Sequence, residues 1–129
     1  MRIDLVTLLV LDQDEAISFF VEALGFVLTE DRASVGGDGR SKRWVVVRPP
    51  EGGTGLLLTL PHGAKQLSQV GRQADGRVAW FLQVEEFAPV HARMVEAGVE
   101  FLEAPRHEEY GTVAVFRDCS GNRWDLLGA

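Results

Sequence analysis

One acidic residue lies inside an apolar segment near the end of the chain, where its carboxylate is chemically unusual. Asp125 falls in the run Trp-Asp-Leu-Leu, within a strand that we predict over 123–127. A carboxylate among apolar neighbours is expected to have a raised pKa, unless Arg123 or another base pairs with it. Asp125 is therefore either a recognition point for a cation or hydrogen-bond donor, or a strand-end acid paired with an arginine.

The other side chains capable of chemistry are three histidines and one cysteine. His62 and His107 fall in predicted loops and His91 on a predicted helix, so none shares a predicted strand with Asp125. Cys119 lies in a predicted turn without a histidine nearby in sequence, and we assign it no role as a nucleophile.

The composition predicts a soluble globular protein. The chain has 129 residues, which suits one domain, and 46% of them are hydrophobic. A net charge of -6 without a basic cluster disfavours nucleic acid and anionic membranes as partners. The apolar runs are far shorter than the ~20 residues that span a bilayer. One cysteine and a start unlike a secretory signal favour the cytoplasm.

The first half of the sequence predicts one strand, one helix and three further strands. Asp12 and Glu15 are spaced like a helix-capping pair, and Gly25 ends the helix. The predicted strands are 3–11, 26–31, 44–48 and 56–60, the helix is 13–24, and the turns are 35–42 and 49–55.

The second half repeats this order after a polar, glycine-containing loop at 62–76, in which one helical turn is an alternative. The predicted strands are 77–84, 99–102, 112–117 and 123–127, the helix is 87–97, and a loop follows the second strand. The residues also correspond, because Val-Glu-Ala precedes a glycine at the end of both helices. The spacing of about 70 residues is too long for a solenoid and indicates a duplicated βαβββ module. We therefore predict a single α+β domain, with module one over about 1–61 and module two over about 77–129.

Three stretches of sequence resemble the vicinal-oxygen-chelate superfamily, which contains glyoxalases, bleomycin-resistance proteins and extradiol dioxygenases. The stretches are LVTLLVLDQDEAISFFVEALGF, MVEAGVEFLEAP and the closing GTVAVFRDCSGNRWDLL. The resemblance implies that the two modules form a cup-shaped mixed sheet around a small-molecule site. It also implies a homodimer, as many two-module members form.

The resemblance further locates the positions where metal-using members hold their ligands. These fall on Leu5, on Ala79, on the strand at 54–60, which has no carboxylate or imidazole, and on Asp125. One donor out of four is too few for tight binding of a divalent ion, so we predict no metal and no other cofactor. A shifted metal site using His62 or His107 remains an alternative.

Strand alternation predicts which side chains line the cup. If Leu5 and Ala79 face the cup, Thr7, Leu9, Phe81 and Gln83 face it as well. If Asp125 faces the cup, so do Arg123 and Leu127. The predicted ligand contacts are Thr7, Phe81, Gln83 and Asp125, together with Arg72, Gln73 and Tyr110 from loops that close over the cup. Trp80 and Trp124 are expected to pack beneath the helices.

These observations favour a protein that binds a small aromatic or cationic molecule in an apolar cleft without metal. The alternative is a metal-dependent lyase, isomerase or dioxygenase of the same superfamily with a relocated metal site. A partner domain with a vestigial site is a third hypothesis.

Overall fold

The computed structural model describes residues 1–129 and divides into two compact units, Met1–Pro61 and His62–Ala129. In the first unit the strands are β1 Leu5–Leu9, β2 Val27–Val35, β3 Ser41–Arg48 and β4 Gly55–Thr59, and the helix α1 Gln13–Ser18 continues into a π-helical segment, Phe19–Ala23. In the second unit the helices are α2 Gly63–Leu67 and α3 Phe87–Glu96, and the strands are β5 Val78–Gln83, β6 Arg106–Glu108, β7 Gly111–Arg117 and β8 Arg123–Gly128.

Both units have the same sheet topology. The first sheet has the strand order β1-β4-β3-β2 and the second has β5-β8-β7-β6. In each, the first pair is parallel, β1 with β4 and β5 with β8, and the remaining pairs are antiparallel. The predicted α+β fold of two βαβββ modules is therefore confirmed.

The predicted start of the first helix is also confirmed. The Asp12 side chain accepts a hydrogen bond from the Glu15 N–H at 2.9 Å, which satisfies one of the free amide groups of the first turn. Gln13 is buried, and its amide group donates to the carbonyls of Arg43 and Leu58. These bonds fix the start of α1 against β3 and β4, whose buried side chains form the core of this unit.

The chain between the helix and the third strand of module two differs from the prediction. We expected a strand at 99–102, but only Phe101 forms a bridge there, to Phe116. The strand β6 lies instead at Arg106–Glu108, inside a predicted loop. All three of its residues are exposed at the sheet edge, so the polar sequence lacks the alternation that marks a half-buried strand.

The turn predicted at 35–42 is shorter than expected, whereas the loop predicted at 62–76 contains one short helix. β2 extends to Val35 and β3 begins at Ser41, so the predicted turn at 35–42 is mostly a hairpin of exposed residues. The predicted loop 62–76 contains α2 and belongs to the second unit.

None of the helices has the length and apolar sequence that a membrane-spanning helix requires.

Candidate functional site

One face of the second sheet is packed against α3 by a series of aromatic rings. Phe87 stacks on His91 with 5.1 Å between ring centroids, and the series continues through Phe101 and Phe116 to Trp124. Trp80 lies 5.3 Å from Trp124. Trp124 is buried, as predicted, and so are the other even-numbered residues of β8.

The opposite face of the second sheet bears no helix, and we call it the helix-free face. Its central residues are the odd-numbered side chains of three neighbouring strands, namely Phe81, Gln83, Val115, Asp125 and Leu127. Phe81 pairs with Asp125, which pairs with Val115, and in the next row Gln83 pairs with Leu127. Cross-strand partners lie side by side on one face of a sheet. Phe81 is 68% exposed, although it lies in a strand rather than a loop.

The desolvation of the Asp125 carboxylate is not offset by a hydrogen bond to its buried oxygen or by an ion pair. Its Oδ1 atom is buried and has no hydrogen-bond partner, and no ion pair links it to Arg123. Burial raises the pKa of the Asp125 carboxyl above its ordinary value; the Arg106 guanidinium opposes this rise and the Glu103 carboxylate adds to it. The expectation of a raised pKa is confirmed, and the alternative of an acid paired with Arg123 is wrong.

Arg106 does not pair with Asp125 because two other carboxylates hold its guanidinium. Its Nε donates to Glu103, and its Nη1 donates to Glu108 at 3.0 Å. Arg106 on β6 pairs with Val113 on β7, and this register places its side chain on the helix-free face. This cluster was not predicted from the sequence, because β6 lies in a predicted loop.

Arg72 and Gln73 lie at one end of the second sheet, beside the turn between β7 and β8. The Gln73 N–H donates to the Asn122 Oδ1 at 3.3 Å. Gly71 approaches the same turn so closely that a Cβ there would lie 2.2 Å from the Ser120 carbonyl oxygen. Arg72 itself forms an exposed ion pair with Asp75.

Tyr110 lies at the other end of the sheet, in the tight turn between β6 and β7. The next residue, Gly111, begins β7, and Thr112 pairs with Gly128 at the end of β8. Because β8 rises about 3.3 Å per residue, the positions of Gln73 and Tyr110 are separated along the sheet by about 17 Å. The structure therefore places the two predicted loop contacts at opposite rims of the helix-free face.

Thr7 belongs to the first unit, where it is exposed on β1. It pairs with Leu57, which pairs with Val46, so the same face of the first sheet also bears Trp44. The Trp44 Nε1 donates to Glu30 at 3.2 Å, and the Arg32 guanidinium lies 6.0 Å from the indole ring. This cluster was not predicted, although the two-residue period of a strand over 44–48 is a signal that Trp44 and Val46 share a face.

The histidines do not gather around Asp125. The His107 Nδ1 is 3.0 Å from the Thr112 Oγ1 on the neighbouring strand, and His91 lies between Phe87 and Phe101. His62 is exposed at the start of α2. No three or more His, Cys, Asp or Glu side chains come together as a group that could hold a metal ion.

The sequence as a whole matches a known family model. The model of the Glyoxalase/Bleomycin resistance protein/Dioxygenase superfamily matches residues 2–126. The chain belongs to this superfamily.

Relatives and solved structures of this superfamily cover almost the whole chain. An uncharacterised protein of Shewanella frigidimarina (strain NCIMB 400) is 46% identical over 123 residues, which are 95% of this chain and 89% of the relative. The crystal structure of UcmS2 superposes with a TM-score of 0.79 at 31% identity, covering 98% of this chain and 97% of that one. TnmS3, an antibiotic binding protein from Streptomyces sp. CB03234, superposes with a TM-score of 0.76 at 28% identity, covering 99% and 95%.

The residues at the superfamily's metal-ligand positions do not fit a divalent ion. Leu5 on β1 and Ala79 on β5 have no donor atom, and β4 (GLLLT) has no carboxylate or imidazole. Asp125 alone retains a ligand group, whereas a tightly bound divalent ion needs several nitrogen or oxygen donors.

Proposed function

We propose that this protein binds a small, flat, largely apolar molecule on the helix-free face of the second sheet, without a metal ion. The observation that supports the proposal is the pair formed by Phe81 and Asp125. An exposed aromatic ring lies directly beside a carboxylate whose Oδ1 is buried and lacks a hydrogen-bond partner.

The neighbours of this pair have the mixture expected of a small-molecule site. Val115 and Leu127 supply apolar surface next to Asp125, and Gln83 supplies an amide two residues along from Phe81. Ligand sites combine apolar walls with a few polar groups that orient the ligand. Phe81 provides the stacking surface and Asp125 the orienting group.

The remaining predicted contacts are assigned to the rim. Arg72 and Gln73 at one end and Tyr110 at the other contact only a ligand long enough to extend beyond the central rows. The contact predicted for Thr7, which lies in the first unit, stays a prediction. These roles rest on position alone, and single alanine substitutions at each residue test them by the change in affinity.

The antibiotic-binding relative supports an antibiotic as the ligand class, and the exposed Phe81 ring favours a planar one. TnmS3 is 28% identical to this chain over nearly the full length of both. We therefore propose sequestration of such a compound rather than its turnover. By analogy with two-module members of the superfamily, we propose that it acts as a cytoplasmic homodimer, which light scattering and cell fractionation test.

The experiment is a thermal-shift screen of planar natural products and drugs, followed by calorimetry on the hits. A ligand that binds the folded state alone raises the melting temperature. We expect stoichiometric binding that is weakened by Phe81→Ala. Ligands whose affinity is unchanged by this substitution would show that the site lies elsewhere.

A second measurement addresses the metal. Elemental analysis of protein purified without chelator should find no stoichiometric divalent ion, before or after addition of nickel, zinc, manganese or iron. A stoichiometric ion, or turnover that depends on one, would favour the alternative of a metal-dependent enzyme with a relocated site.

A further inference from the structure

We infer that the group recognised beside Asp125 is a nitrogen cation with N–H donors, so that the ligands of this protein are aromatic amines in their protonated form. This inference rests on the proposed function and specifies the ligand class. It follows from the distribution of charge on the helix-free face and from the unmet hydrogen-bonding capacity of Asp125.

The charges on this face leave one negative charge uncompensated. Strand register and ion pairs together bring four carboxylates and three guanidinium groups to the region around Asp125, which gives one net negative charge. These groups are Glu100, Glu103, Glu108 and Asp125, and Arg106, Arg117 and Arg123. A ligand with one positive charge would neutralise the face, whereas an anion would double the excess.

None of the three arginines forms an ion pair with Asp125, although the Nε of Arg117 is itself buried without a hydrogen-bond partner. Arg106 is shared between Glu103 and Glu108, and the Nη1 of Arg117 lies 3.9 Å from Glu100. Arg123 is exposed and forms no ion pair with Asp125. Asp125 therefore remains without a counter-ion within the protein.

The two neighbours of Asp125 favour a cation on an aromatic frame. A buried carboxylate oxygen without a hydrogen-bond donor has lost its hydration without compensation. The terminal torsion of an aspartate side chain is broad, so the carboxyl group can rotate to accept a hydrogen bond from a ligand N–H. The adjacent Phe81 ring attracts positive charge to its face. A neutral ligand N–H would supply the missing hydrogen bond but would not compensate the net negative charge of the face.

Three acridines that differ in charge test this inference by calorimetry at neutral pH. The probes are 9-aminoacridine as the cation, acridine as the neutral compound and acridine-9-carboxylate as the anion. Three neighbouring strands are about 10 Å across, which a three-ring plane spans. We expect the cation to bind at least roughly tenfold more tightly than the neutral probe, the range of one charge-assisted hydrogen bond.

Equal affinity for the cation and the neutral probe would overturn the inference while leaving the proposed binding function in place. Tighter binding of the anion would do the same. Absence of binding by all three probes would overturn both.

Substitutions then locate the effect. Asp125→Asn keeps the shape of the side chain and should abolish the preference for the cation, whereas Asp38→Asn, with the same charge change in the loop of the β2–β3 hairpin, should retain it. Glu103→Gln removes one negative charge from the face and one of the two carboxylates that hold Arg106, so it should also reduce the preference. A preference that survives both Asp125→Asn and Glu103→Gln would contradict the assignment.

Discussion

Phe81 and Asp125 lie directly opposite each other on the parallel strands β5 and β8, with both side chains on the face of the sheet that no helix covers. The ring is largely exposed, while the neighbouring carboxylate has a buried oxygen atom without a partner. The pair contributes little to stability, because the exposed ring gains little from burial and the desolvation of the acid opposes folding. The proposed ligand would account for the pair.

Phe81→Ala is expected to weaken the binding of planar ligands by about 1–2 kcal/mol, close to tenfold, because a stacked aromatic contact is lost. The free energy of unfolding should change by less than about 0.5 kcal/mol, since the ring is exposed. Calorimetry and urea denaturation measure the two quantities. Val35→Ala removes an exposed apolar side chain from β2 and should alter neither. A large loss of stability in Phe81→Ala would show that the ring is structural.

Asp125→Asn is expected to raise the free energy of unfolding at neutral pH. Burial raises the pKa of the Asp125 carboxyl in the folded state, so the native protein binds its proton more tightly than the unfolded chain. The stabilisation from this proton is complete below the unfolded pKa and is lost as the pH rises through the folded pKa. The stability advantage of Asp125→Asn should therefore grow over that interval and then remain constant.

Urea denaturation of the wild type and Asp125→Asn between pH 3 and pH 7 measures this difference. Asp38→Asn controls for the change in net charge. A difference that shrinks as the pH rises would contradict the assignment and indicate that Asp125 is stabilised as a carboxylate.

The fold was predictable from the sequence where burial alternates with the period of an element. Along β8, Trp124 and Leu126 are buried, while Arg123 and Asp125 are not, and this alternation correctly predicted the face of each side chain. The capping by Asp12 and the repeated order of elements are also local signals. The pairing of β6 with β7 is not local, because its exposed residues show no alternation and only the partner strand defines them as a strand.

The candidate site was predictable only in part, for the same reason. Phe81, Gln83 and Asp125 follow from alternation along two strands. The isolation of Asp125 does not, since it depends on Glu103 and Glu108 holding Arg106 across the sheet. The separation of Gln73 from Tyr110 depends on strand register, which the sequence does not specify.

Asp118→Ala is expected to lower the free energy of unfolding by about 2–4 kcal/mol, because it removes the acceptor of a buried hydrogen-bond network. The Asp118 carboxylate accepts hydrogen bonds from the backbone of Ser120 and Asn122, from the Asn122 side chain and from the Trp124 indole, at 2.9–3.1 Å. Asp118→Asn keeps one acceptor but presents an amide donor to other donors, so we expect an intermediate loss. Denaturation with both variants measures the order, and wild-type stability in Asp118→Ala would contradict the role of the network.

Gly71→Ala is expected to displace the segment that contains Arg72 and Gln73 from the turn between β7 and β8. The added Cβ would lie 2.2 Å from the Ser120 carbonyl oxygen, and the backbone at Gly71 has a φ of 74°, which L-residues rarely adopt. Gly76→Ala is the matched control, because Gly76 has a φ of 88° with no atom near the added Cβ. The control should lose only the conformational cost of about 1–2 kcal/mol, and Gly71→Ala should lose more.

Hydrogen exchange distinguishes displacement of the segment from a general loss of stability. The Gln73 amide, which donates to Asn122, should lose protection in Gly71→Ala and keep it in Gly76→Ala. If ligands reach the rim at Arg72 and Gln73, their affinity should fall in Gly71→Ala as well, beyond the effect of the control. Equal stability and equal protection in the two variants would show that the segment does not depend on its close approach to Ser120.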